Sequence, residues 1–165
     1  MRIVGPTLAA VAPCEAVLRS LPDWFGIEEA LLMYARDTAT LPTFALANDA
    51  HGAEHADTAE NTAPRIIGFV TLQQHFPAAW EVHCIAIHAD ARGQGHGRAL
   101  MAHAERWLLD SGARWLQVKT LAAASGSAEY AETRAFYERL GYEPLEVFPE
   151  LWSPNNPCLQ MVKAR

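Results

Sequence analysis

The sequence lacks what a membrane span, a disulfide scaffold or a nucleic-acid coat would require. Proline, glycine or charge interrupts every apolar run short of the roughly 20 residues that cross a bilayer. The three cysteines, Cys14, Cys84 and Cys158, are few and scattered, and none forms a C-x-x-C pair. Basic side chains number 13 against 19 acidic ones, for a formal charge of −6. That is the wrong sign for a protein whose main task is to displace counterions from nucleic-acid phosphates. These absences predict a soluble protein of a reducing cytoplasm, with no membrane or nucleic-acid partner. Arg2 ahead of the stretch ending Val11-Ala12-Pro13-Cys14 loosely imitates an export signal. Gly5-Pro6 breaks that apolar segment, and a first strand followed by a helix accounts for it better.

What is present is core material: half of the 165 residues are hydrophobic and 19% are charged. This predicts one domain over 1–165. Arg2 to Val4 reads as a short strand and Leu8 to Leu21 as a helix stopped by Pro22. Ile27, Ala30, Leu31 and Tyr34 form one apolar helical stripe, with Glu28 and Glu29 in its favoured first turn. Strands follow at Thr43 to Ala47, Arg65 to Gln73 and Trp80 to His88, the last two paired antiparallel. Between Asn48 and Pro64 lie four acids, two histidines and no base, and this predicts a mobile insertion. It contains His51-Gly52-Ala53-Glu54-His55, an H-x-x-E-H string that binds metal only on a helix. The internal glycine and missing apolar stripe make it a loop, and no metal is expected.

A helix carrying Leu100, Met101, Ala104, Trp107 and Leu108 ends at Gly112. A strand follows at Trp115 to Leu121, then a small-residue loop from Ala122 to Ala128. Thr133, Phe136, Tyr137 and Leu140 mark a last helix closed by Gly141. Strands around Leu145 to Phe148 and Cys158 to Lys163 complete the chain. The order predicts a mixed α/β sheet of about seven strands with about four helices on its faces.

The strongest chemical signal lies between the Trp80 to His88 strand and the helix after it. Arg92, Gly93, Gln94, Gly95, His96, Gly97 and Arg98 place three glycines at alternate positions before a helix start. Backbone N–H groups there, backed by the helix dipole, form a seat for an anion, and Arg92 and Arg98 add charge suited to phosphate oxygens. A pyrophosphate is the natural guest. No lysine makes this a Walker loop, and Arg98 stands where a dinucleotide fingerprint needs its third glycine.

Arg92-x-x-Gly95-x-Gly97 resembles the R/Q-x-x-G-x-G/A signature of the GNAT superfamily of acyl-CoA-dependent N-acyltransferases. Thr133-Arg134-Ala135-Phe136-Tyr137-Glu138-Arg139-Leu140-Gly141-Tyr142 is similar to that family's A-x-x-F-Y-x-x-L-G-F segment, with Thr133 in place of alanine. Tyr130 stands where the family often has asparagine, seven residues before the tyrosine. The resemblance spans the chain outside 48–64. It implies the GNAT fold, a sheet splayed beside the Trp80 to His88 strand and acetyl-CoA lying between that strand and Trp115 to Leu121. Backbone groups of Ile85, Ala86 and Ile87 would then hold the pantetheine amides, and a strand N–H near Ile85 would meet the oxyanion. Tyr137 would protonate the leaving sulfur, as a phenol neutral at working pH can.

An alkylamine nucleophile must also lose a proton. Glu81 and His83 alternate onto one strand face ahead of Ile85 and Ile87 and are candidates for taking it, although a solvated strand end accounts for them as well. The implied reaction is direct acetyl transfer from acetyl-CoA to the amine of a small molecule or peptide. A longer acyl donor and a non-catalytic acyl-CoA sensor stay open, as does oligomeric state, a homodimer included. Trp24 and Phe25, between the first two helices, suggest an apolar wall of the acceptor pocket. Cys84 reads as a buried apolar residue rather than a nucleophile.

Overall fold

The computed structural model describes residues 1–7, 11–48 and 64–164. The 48–64 insertion apart from its end residues, the H-x-x-E-H string and the first three residues of the helix expected from Leu8 lie outside them. The elements run β1 (Arg2–Thr7), α1 (Val11–Arg19), α2 (Glu28–Asp37), β2 (Thr43–Asn48), β3 (Arg65–Phe76), β4 (Ala79–Ile87), α3 (His96–Asp110), β5 (Trp115–Leu121), α4 (Ala128–Arg139), β6 (Glu143–Ser153) and β7 (Asn156–Ala164). Among the described residues this is a mixed α/β fold with seven strands and four α-helices, the class the sequence predicts. No helix among them is long and apolar enough to cross a membrane.

The strand order is β1-β2-β3-β4-β5-β7-β6. β4 and β5 run parallel, while β1 with β2, β2 with β3, β5 with β7 and β6 with β7 run antiparallel. The chain groups into two compact units, Met1–Thr71 with Ile85–His103 and Leu72–Cys84 with Ala104–Arg165. β3 and β4 each pass from one unit into the other.

In the first unit, Cys14, Val17, Leu18 and Leu21 recur at helical spacing and are all buried. They share a core with Leu31, Ala35, Phe44, Phe69, Leu100 and Met101. Pro13 is tolerated because it lies in the first turn of α1, where its missing N–H would have no intrahelical partner. The hydroxyls of Thr43 and Thr71 meet across β2 and β3 at 3.1 Å, which satisfies two buried polar groups. At Gly68 of β3 there is no room for a side chain: a Cβ there would lie 2.5 Å from Ile87 Cδ1 and 3.0 Å from the carbonyl oxygen of Ala86. Its glycine lets the strand that carries Ile85 to Ile87 lie flush against its neighbour.

In the second unit, Leu116 and Val118 of β5 and Met161 of β7 are buried, and Trp80 meets Trp107 edge to face at 5.5 Å. Lys163 donates to Glu105 at 2.9 Å and to the carbonyl of Leu140, where α4 ends. α4 begins earlier than the apolar spacing suggests. Ser127 caps it by accepting from the Tyr130 N–H at 3.2 Å, with Glu129 in the first turn.

β6 runs from Glu143 to Ser153, well beyond the Leu145 to Phe148 segment expected from sequence. Pro144 and Pro149 conceal its length, yet an edge strand accommodates them because it need not donate on both sides. Its register with β7 shifts between Pro144 and Glu146 and again between Phe148 and Ser153. Leu145, Val147, Leu151 and Trp152 on this strand are exposed.

Candidate active site

The first unit holds the glycine loop. β4 leaves the sheet at His88, whose N–H donates to the Ile67 carbonyl at 2.8 Å. The His88 side chain then accepts from the Asp90 N–H and starts a short 3-10 turn, Ala89–Ala91. Ser20, at the end of α1, accepts from the Ala89 N–H at 3.1 Å and ties that turn to the helix. Gly93 and Gly95 have φ of +75° and +80°, and an added Cβ at either would meet no atom of the described residues within 4 Å. Glycine is required there by backbone conformation and not by crowding from the protein, so the space beside these two residues is open to a ligand. His96 opens α3, and Ala99 donates to the Gly95 carbonyl at 3.1 Å. The N–H groups of Gly97 and Arg98 precede that first helical bond, and donors at a helix start are the kind of group that can receive an anion.

Arg92, Gln94 and Arg98 are exposed around the loop. The Arg92 guanidinium sits 4.1 Å from the centre of the Trp24 ring, a cation–π contact. Sequence reading made Trp24 a pocket wall; in the structure its ring lies against the Arg92 guanidinium. Ile85 and Ile87 are half-buried and Ala86 is buried. All three lie past the last pair of the parallel β4–β5 register, which runs from Ala79 opposite Trp115 to Val82 opposite Val118.

In the second unit Glu81 is buried, and one of its oxygens, Oε2, gathers three donors. Lys119 Nζ lies at 2.6 Å, His75 Nε2 at 2.7 Å and Gln117 Nε2 at 2.9 Å. β5 supplies Lys119 and Gln117 at period two, and Gln117 stands opposite Glu81 in the register. Gln160 of β7 donates to Gln117 Oε1 and so turns the Gln117 amide nitrogen towards Glu81. His83, two residues on, is half-buried. A cleft of about 350 Å³ lies beside this network, lined by His75, Phe76, Trp80, Trp115, Gln117 and Val162 among others.

Tyr137 lies on α4 and is 4% exposed, with its ring edge to face with Phe136 at 5.3 Å and Tyr142 at 5.7 Å. Burial, with Tyr137 as a nearby second phenol, holds Tyr142 far above the ordinary phenol range. Burial, with a contribution from Cys84, also raises Tyr130. The thiol of Cys14 is pushed up to about 11 by burial, and that of Cys158 is raised too, so neither is a thiolate at neutral pH.

Sequence reading missed His75, Gln117 and Lys119. It ended β3 at Gln73 and so left His75 in a turn. The available signal was the six-residue separation of His75 and Glu81 across the tight Pro77-Ala78 turn, which a hairpin can bring together.

Residues 53–144, 92 of 165, match a family model described as an acetyltransferase (GNAT) domain. Comparison with curated protein sequences returned no match. Among solved structures, a Desulfovibrio desulfuricans protein assigned to the GNAT family is similar, with 16% identity, a TM-score of 0.76 and coverage of 99% of this chain and 98% of that one. A ribosomal-protein-alanine N-acetyltransferase from Brucella melitensis shares 15% identity with a TM-score of 0.68, each chain covered in full. An aminoglycoside 6'-N-acetyltransferase complexed with coenzyme A shares 17% identity with a TM-score of 0.67, covering 99% and 97%. At such identities the likeness is one of fold.

Proposed function

This chain belongs to the GNAT acetyltransferase family, and we propose that it transfers an acetyl group from acetyl-CoA to a primary amine of a small molecule or peptide by direct attack within a ternary complex. The observation that carries this reading is the open, left-handed glycine pair at the start of α3, with Arg92 and Arg98 beside it. That arrangement suits a pyrophosphate, and coenzyme A carries one. In this reading Arg92 to Arg98 bind the pyrophosphate, and the backbone of Ile85, Ala86 and Ile87 takes the pantetheine amides. A strand N–H near Ile85 meets the oxyanion, and Tyr137 returns a proton to the departing sulfur. Removal of the amine proton belongs to the β4 face that carries Glu81 and His83. Two of the three similar structures carry an acceptor in their names, a ribosomal-protein alanine and an aminoglycoside, and both acceptor classes fit the proposal.

Acetyl-CoA at 100 times its Kd is expected to stabilise the fold by about 2.7 kcal/mol, read as a raised melting midpoint. Addition of an amine is expected to release free thiol. A melting shift with no thiol release from any amine would leave a binding protein rather than an enzyme, and no shift at all would mean that the chain does not bind acetyl-CoA.

Trp24→Ala tests the cation–π contact. Arg92 loses a support of roughly 0.5–1 kcal/mol, so Kd for acetyl-CoA should rise about 2–5-fold by calorimetry while the melting midpoint of the free protein barely moves. An unchanged Kd would make Trp24 irrelevant to the seat.

A further inference from the structure

We propose that Arg65 and His88 together bind the 3'-phosphate of coenzyme A, so that this chain distinguishes acetyl-CoA from its 3'-dephospho form; this deepens, and rests on, the acetyl-transfer reading above. Donors and acceptors do not balance around His88. Its Nδ1 faces the Asp90 N–H at 3.3 Å, and its Nε2 faces Arg65 Nη2 at 3.1 Å. Both neighbours only donate, since a backbone N–H and a guanidinium offer no lone pair. A neutral imidazole has one lone pair and one N–H, so it can accept from just one of them. The bond from the Asp90 N–H starts the 3-10 turn Ala89–Ala91, which assigns the lone pair to Nδ1. Nε2 then carries a hydrogen, and two N–H donors converge. Among the described residues neither of them has an acceptor. The Asp90 carboxylate does not serve: its Oδ2 lies 3.6 Å from Nδ1, at the other ring nitrogen and beyond hydrogen-bond distance.

A phosphate monoester supplies what the pair lacks. Its ionised oxygens accept, and an oxygen placed against both hydrogens turns two opposed donors into charge-assisted bonds. The planar guanidinium fork matches phosphate oxygens in pairs, which a lysine in its place could not do. The His88 side chain is 17% exposed and Arg65 is exposed, so one donor is held by the fold and the other can adjust to the ligand.

Position selects coenzyme A as the source of that phosphate. The Ile67 carbonyl accepts from the His88 N–H at 2.8 Å, two residues along β3 from Arg65, so the pair stands where β4 ends and the glycine loop begins. Four residues take the chain from His88 to Arg92, a reach of at most about 14 Å. Arg65, His88, Arg92 and Arg98 all belong to the first compact unit. Coenzyme A carries its 3'-phosphate on the ribose that its pyrophosphate joins. A pyrophosphate seated on the loop therefore brings a second phosphate group, one ribose away, into the neighbourhood of the pair.

The test is calorimetry of the full chain with acetyl-CoA and with acetyl-3'-dephospho-CoA, joined to phosphorus NMR of the bound cofactor. The parent is expected to bind acetyl-CoA about 10–100-fold more tightly than the dephospho form, the ratio that one charge-assisted hydrogen bond or two supply. Arg65→Gln, at an exposed site, should bring that ratio to within about 3-fold. The 3'-phosphate resonance should then lose its binding shift while the pyrophosphate resonances keep theirs. His88→Asn keeps a side-chain acceptor for the Asp90 N–H and deletes Nε2, so the ratio should fall by about 3–10-fold. If that variant melts early, Arg65→Gln decides alone. Equal affinity of the parent for the two cofactors overturns the proposal, and so does an Arg65→Gln protein with the parental ratio. A ratio that falls while the 3'-phosphate resonance still shifts on binding overturns direct contact and leaves an effect of charge at a distance. Inorganic phosphate tests the other source of the same chemistry: if it raises the melting midpoint of the parent and not of Arg65→Gln, while the two cofactors bind alike, the pair takes free phosphate and the cofactor assignment falls. A parent that binds neither cofactor defeats the acetyl-CoA reading itself, an outcome seen before any variant is made.

Discussion

Gly95→Val is expected to remove acetyl-CoA binding, raising Kd more than 100-fold, while the protein still folds. Two effects act together. Gly95 holds φ of +80°, a region β-branched residues rarely enter, so valine would push the loop out of shape at a cost of order 1–3 kcal/mol. Its Cβ would also project where no atom of the described residues lies within 4 Å, into the space assigned to the pyrophosphate. Gly112 supplies a matched control. It has φ of +82° and equally open surroundings, but it ends α3 where the anion seat begins that helix. Gly112→Val should therefore lower the melting midpoint by a similar amount and leave calorimetric Kd for acetyl-CoA unchanged. Equal affinity in the Gly95 variant and the parent would move the phosphate seat off this loop.

Tyr137→Phe is expected to slow acetyl transfer about 100-fold with acetyl-CoA affinity and fold preserved. The substitution deletes one hydroxyl and retains the ring, so the edge-to-face contacts with Phe136 and Tyr142 survive. General acid catalysis contributes roughly 10²–10⁴-fold, and the lower end applies if water partly replaces the phenol. The pH profile separates this role from packing. A phenol that donates to sulfur must be protonated, so activity should fall as pH rises through its ionisation, and that alkaline limb should vanish in the variant. Tyr142 does not supply the limb, because burial holds it far above the ordinary phenol range. Unchanged turnover in Tyr137→Phe with chemistry rate-limiting would reduce Tyr137 to a core aromatic.

Where local signals were strong, the sequence read well. β5 falls at Trp115–Leu121, the span expected, because Gly112 ends the helix before it and alternation marks its faces. The glycine loop and its helix start were equally visible, since left-handed glycines and a helix N-terminus are properties of neighbouring residues. Errors arose where tertiary context overrides local preference. Pro144 and Pro149 argued against the long β6, yet at a sheet edge a missing N–H costs little. α4 starts at Ala128 because Ser127 caps it, a signal hidden by the run of small residues before it. The polar network around Glu81 was beyond reach for a different reason. It joins residues from β3, β4, β5 and β7 through single hydrogen bonds that span up to 43 positions, and only the strand register decides which of them share a face.

The two register shifts in β6 matter for the solution life of the protein. An edge strand of this length with Leu145, Val147, Leu151 and Trp152 exposed has the makings of a template on which further chains could stack into a growing fibril. Growth of that kind needs a flat, uninterrupted row of donors and acceptors. The offsets beside Pro144 and Pro149 break the row in two places, and Glu143, Glu146 and Glu150 set like charges along it. Straightening this edge would turn a tolerated apolar surface into a nucleus for precipitation, so the irregularity guards colloidal stability at concentrations where a regular strand would not.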